Sequence, residues 1–134
     1  MMMNLKEWIK KQEGFSSLPY LDTKNRLTIG YGRNIGDNGI SVQEAEFLFN
    51  NDFERCKKEL SEYQWYMIQP VIVQGALINM CFNLGIKRLL GFKKMIAALY
   101  IKDYAKAAKE ALDSQWATQV GQRAKDIAVM ISEQ

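Results

Sequence analysis

Two hydrophobic periods divide this chain, and together they predict an α+β architecture. Between Pro19 and Gly32 apolar and polar residues alternate with period two, the pattern of a short half-buried sheet. From Ser41 onward the period lengthens to three and four. It does so first over about twenty residues, and then, after Pro70, over a stretch apolar nearly all round. The expectation is one domain over 1–134. A small lobe at about 14–40 carries a short antiparallel sheet, a connecting helix covers about 41–60, and a helical lobe covers about 65–134 together with the N-terminal helix.

The first helix is expected from Leu5 to Glu13. Asn4 can cap it, with Glu7 three residues on, and Gly14 suits the left-handed residue that ends a helix. Leu5, Trp8 and Ile9 make its apolar stripe. Leu27, Ile29 and Tyr31 then alternate with Arg26, Thr28 and Gly30, and Thr23 to Arg26 has turn composition. Gly36 to Gly39 reads as a loop. Ser41 and Glu44 form an S-x-x-E capping box, and Val42, Ala45, Phe49, Phe53, Cys56 and Leu60 follow at helical steps. Phe47 and Leu48 widen that stripe, so the helix is expected to be covered on more than one side. Glu62 to Gln69 is a break, Pro70 opens the central helix, and Gly85 ends it. Shorter helices are expected at about Phe92–Ile101, Tyr104–Ser114 capped by Asp103, and Gln122–Ser132.

Composition narrows the chemistry. The chain of 134 residues is 48% hydrophobic and 25% charged, enough to bury a core and too ordinary for disorder. A net charge of +3 fits a normal surface better than a polyanion-binding one. There is no histidine, which removes His-based triads and argues against a zinc site. Cys56 and Cys81 fall within apolar helical patterns and are expected as buried free thiols. The N-terminus has no apolar run of signal-peptide or membrane-spanning length, so cytoplasmic synthesis without a leader is the expectation.

The stretch EGFSSLPYLDTKNRLTIGYG, Glu13 to Gly32, holds a carboxylic acid, a second carboxylate and a threonine at fixed offsets. Glycosidic cleavage needs one group to protonate the leaving oxygen and another to activate a nucleophile. Glu13 lies at a helix C-terminus, whose dipole disfavours a second negative charge and so favours the protonated acid; Trp8 and Phe15 nearby could add desolvation. With a Lys24-Asn25-Arg26 loop, Asp22 would stand directly opposite Thr28, close enough to hold one water between carboxylate and hydroxyl. Residue types alone favour a plainer reading: a solvated helix end, a turn and a strand former. The fixed spacing with LTIGYG changes that balance.

Glu, eight residues, Asp, five residues, Thr, then IGYG resembles the signature of phage-type lysozymes, glycoside hydrolase family 24. The similarity continues through QEAEFLFNNDF, ALINMCFNLG, GFKKM and SQWATQVGQRAK, nearly the whole chain. It implies a lysozyme-like fold with a cleft between its lobes. It also implies a muramidase that cleaves the β-1,4 bond between N-acetylmuramic acid and N-acetylglucosamine in bacterial peptidoglycan; a water held between Asp22 and Thr28 is the inverting arrangement, and no cofactor or metal is expected. Glu13 would be the general acid, Asp22 the base-side carboxylate and Thr28 the water-positioning hydroxyl. Asn34, Phe82 and Arg123 match substrate-contact positions, and Met95 and Glu110 occupy two more. Where many members have His, this chain has Arg33, which implies altered local stability rather than lost chemistry. The expectation is a monomer with no nucleic-acid partner and no membrane insertion, acting on the cell wall after release.

Other residues have plain alternatives. Phe82 reads first as core, Trp116 as core, and Trp65 and Tyr66 as bundle closure. Arg123 is equally a solvated cation, a salt-bridge partner or a cleft residue. Lys87, Arg88, Lys93 and Lys94 read first as a solvated basic face, with attraction of anionic wall polymer as the alternative. Gly30 and Gly32 either relieve sheet crowding or let a ligand approach the backbone. Two competing functions remain: a catalytically silent wall-binding protein on the same fold, which would not need Glu13, and a helical nucleic-acid binder. The second lacks a phosphate-binding loop and a strong charge excess.

Overall fold

The computed structural model describes residues 4–134, which gather into two compact units, one ending at Phe47 and the other Leu48–Gln134. The absence of an apolar leader was read partly from Met1 to Met3, which lie outside the described residues.

The N-terminal unit opens with α1 (Leu5–Glu13). The Asn4 side chain accepts from the Glu7 N–H at 2.8 Å, and Gly14, at φ 74°, ends the helix by donating to the Lys10 carbonyl. Then come β1 (Ser16–Leu21), β2 (Leu27–Gly30) and β3 (Arg33–Asn34), an antiparallel sheet in the order β1-β2-β3. Lys10 stands over the Tyr31 ring, 5.4 Å from its centroid, and Phe15 packs on the same ring. These contacts hold the last turn of α1 against the β2–β3 turn.

The first hairpin differs from the sequence expectation by one loop residue. Tyr20 pairs with Thr28 and Leu21 with Leu27, so the loop is Thr23-Lys24-Asn25. Asn25 takes the left-handed conformation at φ 65°, which asparagine tolerates well, and the Asp22 carbonyl accepts from its N–H. The shift puts Tyr20, not Asp22, opposite Thr28. Asp22 lies two residues beyond Tyr20, so alternation keeps it on Thr28's face as a diagonal neighbour.

Residues 36–39 are not a plain loop: α2 (Ile35–Asn38) is a single turn capped by the Asn34 side chain. The capping box forms as expected, with the Ser41 hydroxyl accepting from the Glu44 N–H and the Glu44 carboxylate from the Ser41 N–H, and α3 (Val42–Leu60) follows. Its wide apolar stripe is not covered. Only Cys56 and Leu60 are buried, while Val42, Phe47, Leu48 and Phe49 are exposed, because the packed core begins at the helix's C-terminal end.

In the second unit, α4 (Gln64–Met67) occupies the expected break and α5 (Val71–Leu84) is central, burying Val73, Ala76, Leu77, Met80, Cys81 and Leu84. Around it lie α6 (Ile86–Leu90), α7 (Lys93–Tyr100), α8 (Tyr104–Leu112), α9 (Gln115–Val120) and α10 (Gln122–Ser132). Helix α10 packs on α5 and α8, and α7 packs on α8. Leu60, Leu77, Leu89, Met95, Leu99, Ile127 and Ile131 are sealed from solvent, each stabilising by roughly 1.5–3 kcal/mol. The buried Gln69 amide ties the packing together. It donates to the Trp65 and Leu99 carbonyls and accepts from the Tyr104 hydroxyl, all within 2.8 Å. Cys56 and Cys81 are buried free thiols; burial, followed by the neighbouring Cys56, pushes the Cys81 thiol up to about 12. Trp116 is core, its indole N–H donating to Asn83.

Candidate active site

Glu13, Asp22, Thr28 and Asn34 all lie in the N-terminal unit. Glu13 is the last residue of α1, and its carboxyl group rests against Gly32 in the β2–β3 turn. A Cβ at Gly32 would stand 2.5 Å from Glu13 Oε2, and Gly32 has φ +79°. The positive φ favours glycine there, and a side chain at this position would push the end of the Glu13 carboxyl group aside. The group that comes close to Gly32 is thus a side chain of the same unit, a contact neither reading of this glycine anticipated.

Asp22 is held by the hairpin loop it opens. Its Oδ1 accepts from the Lys24 and Arg26 N–H groups, each at 2.9 Å. Its Oδ2 accepts from Arg26 Nε at 2.9 Å and pairs with Arg26 Nη2 at 2.9 Å. These contacts hold its pKa below the ordinary carboxylate value: the Arg26 N–H acts most strongly, the Arg26 guanidinium and Lys24 N–H add to it, and partial desolvation opposes. Asp22 is thus an ionised carboxylate fixed in direction.

Thr28 is buried at 3% exposure, and its hydroxyl donates to the Arg26 carbonyl at 2.8 Å. With its proton committed, the oxygen can serve another partner only as an acceptor. Asn34 is occupied locally. Its Oδ1 accepts from the Asp37 N–H and its Nδ2 donates to the Asp37 carboxylate, so both ends of the amide cap α2.

Phe82 and Arg123 come together in the helical unit. Phe82 is not core: it is 37% exposed, its ring 5.3 Å from that of Phe49. Arg123 donates from Nε to Asn79 Oδ1 at 2.8 Å and from Nη2 to the Asn79 carbonyl. Both line a concavity of about 310 Å³ with Phe49, Phe53 and Asn79. Met95 is buried in the core and Glu110 half-buried, and both border a second concavity.

Arg33 makes a local structural contact. Its guanidinium pairs with Glu44 through both terminal nitrogens and donates to the Gly39 carbonyl at 3.1 Å, joining β3 to the start of α3. Glu44 falls to about 2, drawn down first by Arg33 and then by the Ser41 N–H. Sequence reasoning missed Arg26 as a site residue and did not pair Gly32 with Glu13. The signal for Arg26 was an aspartate four residues before an arginine across an asparagine-bearing turn. Among the described residues, no group of three or more His, Cys, Asp or Glu side chains is arranged to hold a metal ion.

The phage lysozyme family model matches residues 10–129. The chain belongs to the phage lysozyme family. The α+β arrangement of a small antiparallel sheet and many helices is the lysozyme-like fold. Relatives include the pre-baseplate central spike protein of Enterobacteria phage T4, 26% identical over 96% of this chain and 28% of that protein. Two proteins of Dictyostelium discoideum are also similar. Probable T4-type lysozyme 1 is 26% identical over 98% of this chain and 95% of its own length; probable T4-type lysozyme 2 is 27% identical over 95% and 92%. The chain therefore spans well under a third of the phage spike protein and nearly all of the two Dictyostelium proteins.

Proposed function

We propose that the chain is a peptidoglycan hydrolase, a muramidase cleaving the β-1,4 bond between N-acetylmuramic acid and N-acetylglucosamine with inversion. Membership of the phage lysozyme family supports the hydrolase class. The observation that carries the assignment of roles is the contrast between two carboxyl groups in one compact unit. Asp22 is wrapped in four donors and kept ionised, whereas Glu13 ends a helix and rests against a glycine.

In this reading Glu13 gives its proton to the glycosidic oxygen as the bond to the anomeric carbon breaks. A water attacks that carbon from the opposite face, and Asp22 takes the water's proton. Thr28 accepts the water's other hydrogen, since its own is given to Arg26, and so aims the lone pair. Phe82 and Arg123 contribute an apolar face and a cation for sugar and carboxylate groups, and Asn34 acts mainly by shaping the turn after β3. The enzyme works as a monomer on cell wall after release. No helix among the described residues is long and apolar enough to cross a membrane.

A catalytically silent wall-binding protein is the second reading, favoured by the full occupation of Asp22 in this conformation. Digestion of purified peptidoglycan, with the anomer of the fresh reducing end followed by NMR, separates the readings. Muramic acid reducing ends that appear first as the inverted anomer support the proposal. The retained anomer, an anhydro sugar or intact glycan strands would overturn it.

A further inference from the structure

An ionised carboxylate offers about four lone-pair sites, two on each oxygen. Asp22 has four donors within 2.9 Å, two on Oδ1 and two on Oδ2. In this arrangement no site remains for a water. The two sides differ in permanence. The donors on Oδ1 are backbone N–H groups fixed by the loop, whereas both donors on Oδ2 belong to the Arg26 side chain, which is 47% exposed. Because the Arg26 side chain is long and half exposed, its guanidinium can leave without disturbing the hairpin, whose backbone bonds between Asp22 and Arg26 are independent of it.

We propose that Arg26 is a removable clamp on Asp22: it orients the carboxylate at rest, and its guanidinium must swing off Oδ2 before a nucleophilic water can be bound there. The proposal rests on the assignment of Asp22 as the base-side carboxylate. Arg26 is a positioning residue, since it touches Asp22 and not the substrate. Its removal has two consequences of opposite sense. The carboxylate loses a cation and becomes easier to protonate, and its Oδ2 becomes open to water without prior release of a partner. The Arg26 side chain supplies the charge that acts on Asp22, while the Arg26 and Lys24 backbone N–H groups stay in place when that side chain is changed.

The test compares the wild type with Arg26→Gln and, as a milder change, Arg26→Lys, which keeps the charge but loses the two-pronged geometry. The first readout is the carboxyl ¹³C titration of Asp22 without substrate, which does not depend on any reaction. The second is the pH profile of peptidoglycan cleavage. The expected result for Arg26→Gln is a higher Asp22 midpoint and an acid limb moved to higher pH. On the neutral plateau the rate should rise, by up to roughly fivefold, the factor an exposed ion pair contributes. Arg26→Lys should fall between. An unmoved midpoint, or a raised midpoint with a slower plateau in a folded variant, overturns the clamp. If the wild type cleaves nothing while the midpoint moves, the contact is real but the hydrolase reading fails, and the clamp's role in water binding falls with it.

Discussion

Replacing Gly32 with alanine should separate the acid's position from the stability of the turn that holds it. Gly32 has φ +79°, and a Cβ there would lie 2.5 Å from Glu13 Oε2 and 2.9 Å from its Cδ. The backbone penalty for an alanine in this region is about 1–2 kcal/mol, within what a domain stable by roughly 5–15 kcal/mol tolerates. The carboxyl group must also retreat by about 1 Å to reach ordinary contact, and a shift of that size in a reacting group costs on the order of a hundredfold in rate. Gly30→Ala is the control. Gly30 has φ +69° but nothing within 4 Å of the new methyl, so it carries the backbone penalty alone. Urea denaturation should show similar losses of stability for both variants. Turbidity clearance of purified peptidoglycan should show Gly32→Ala slower than Gly30→Ala by roughly two orders of magnitude. Equal rates would refute the placing of the acid against Gly32.

The Arg33–Glu44 pair should make stability depend on acid pH. Glu44 is lowered from its ordinary 4.5 to about 2, so its contribution is complete above pH 4.5 and disappears as pH falls toward 2. The Tm difference between wild type and Glu44→Gln should be constant above that window and close within it; a difference that persists at pH 2 would contradict the assignment. Gln69→Leu should destabilise the helical unit by about 2–4 kcal/mol in chemical denaturation, because the Leu99 carbonyl and Tyr104 hydroxyl lose their buried partner. Tyr104→Phe should cost less, about 1 kcal/mol, since the phenol is only half-buried. The reverse order would show that the amide is not the centre of that network.

Much of this structure was legible in the sequence where a cap and a period coincided. Asn4, Ser41 and Asp103 mark helix starts with side-chain bonds that form as written, and Gly14 and Gly85 end helices with positive φ. What escaped was governed by a single residue's conformation or by length. The hairpin register turned on Asn25 taking the left-handed position, which moved the loop by one residue and Asp22 from opposite to diagonal. Helices α4 and α6 are four and five residues long, too short for a hydrophobic period to show. Helix α9 did carry a signal, since Ser114 caps it through the Ala117 N–H, but Ser114 also reads as the end of the helix before. At the site, spacing picked out Glu13, Asp22 and Thr28, yet the partners that set their behaviour, Arg26 and Gly32, depend on where the loop folds back.

The most direct test is lysis of purified peptidoglycan by the wild type and by Glu13→Gln, at matched folded concentration. The side chains are nearly isosteric, so packing against Gly32 is retained while the transferable proton is lost. Clearance by the wild type with almost none by the variant is the predicted outcome. Comparable clearance by both would remove Glu13 from the chemistry, and with it the proposed mechanism.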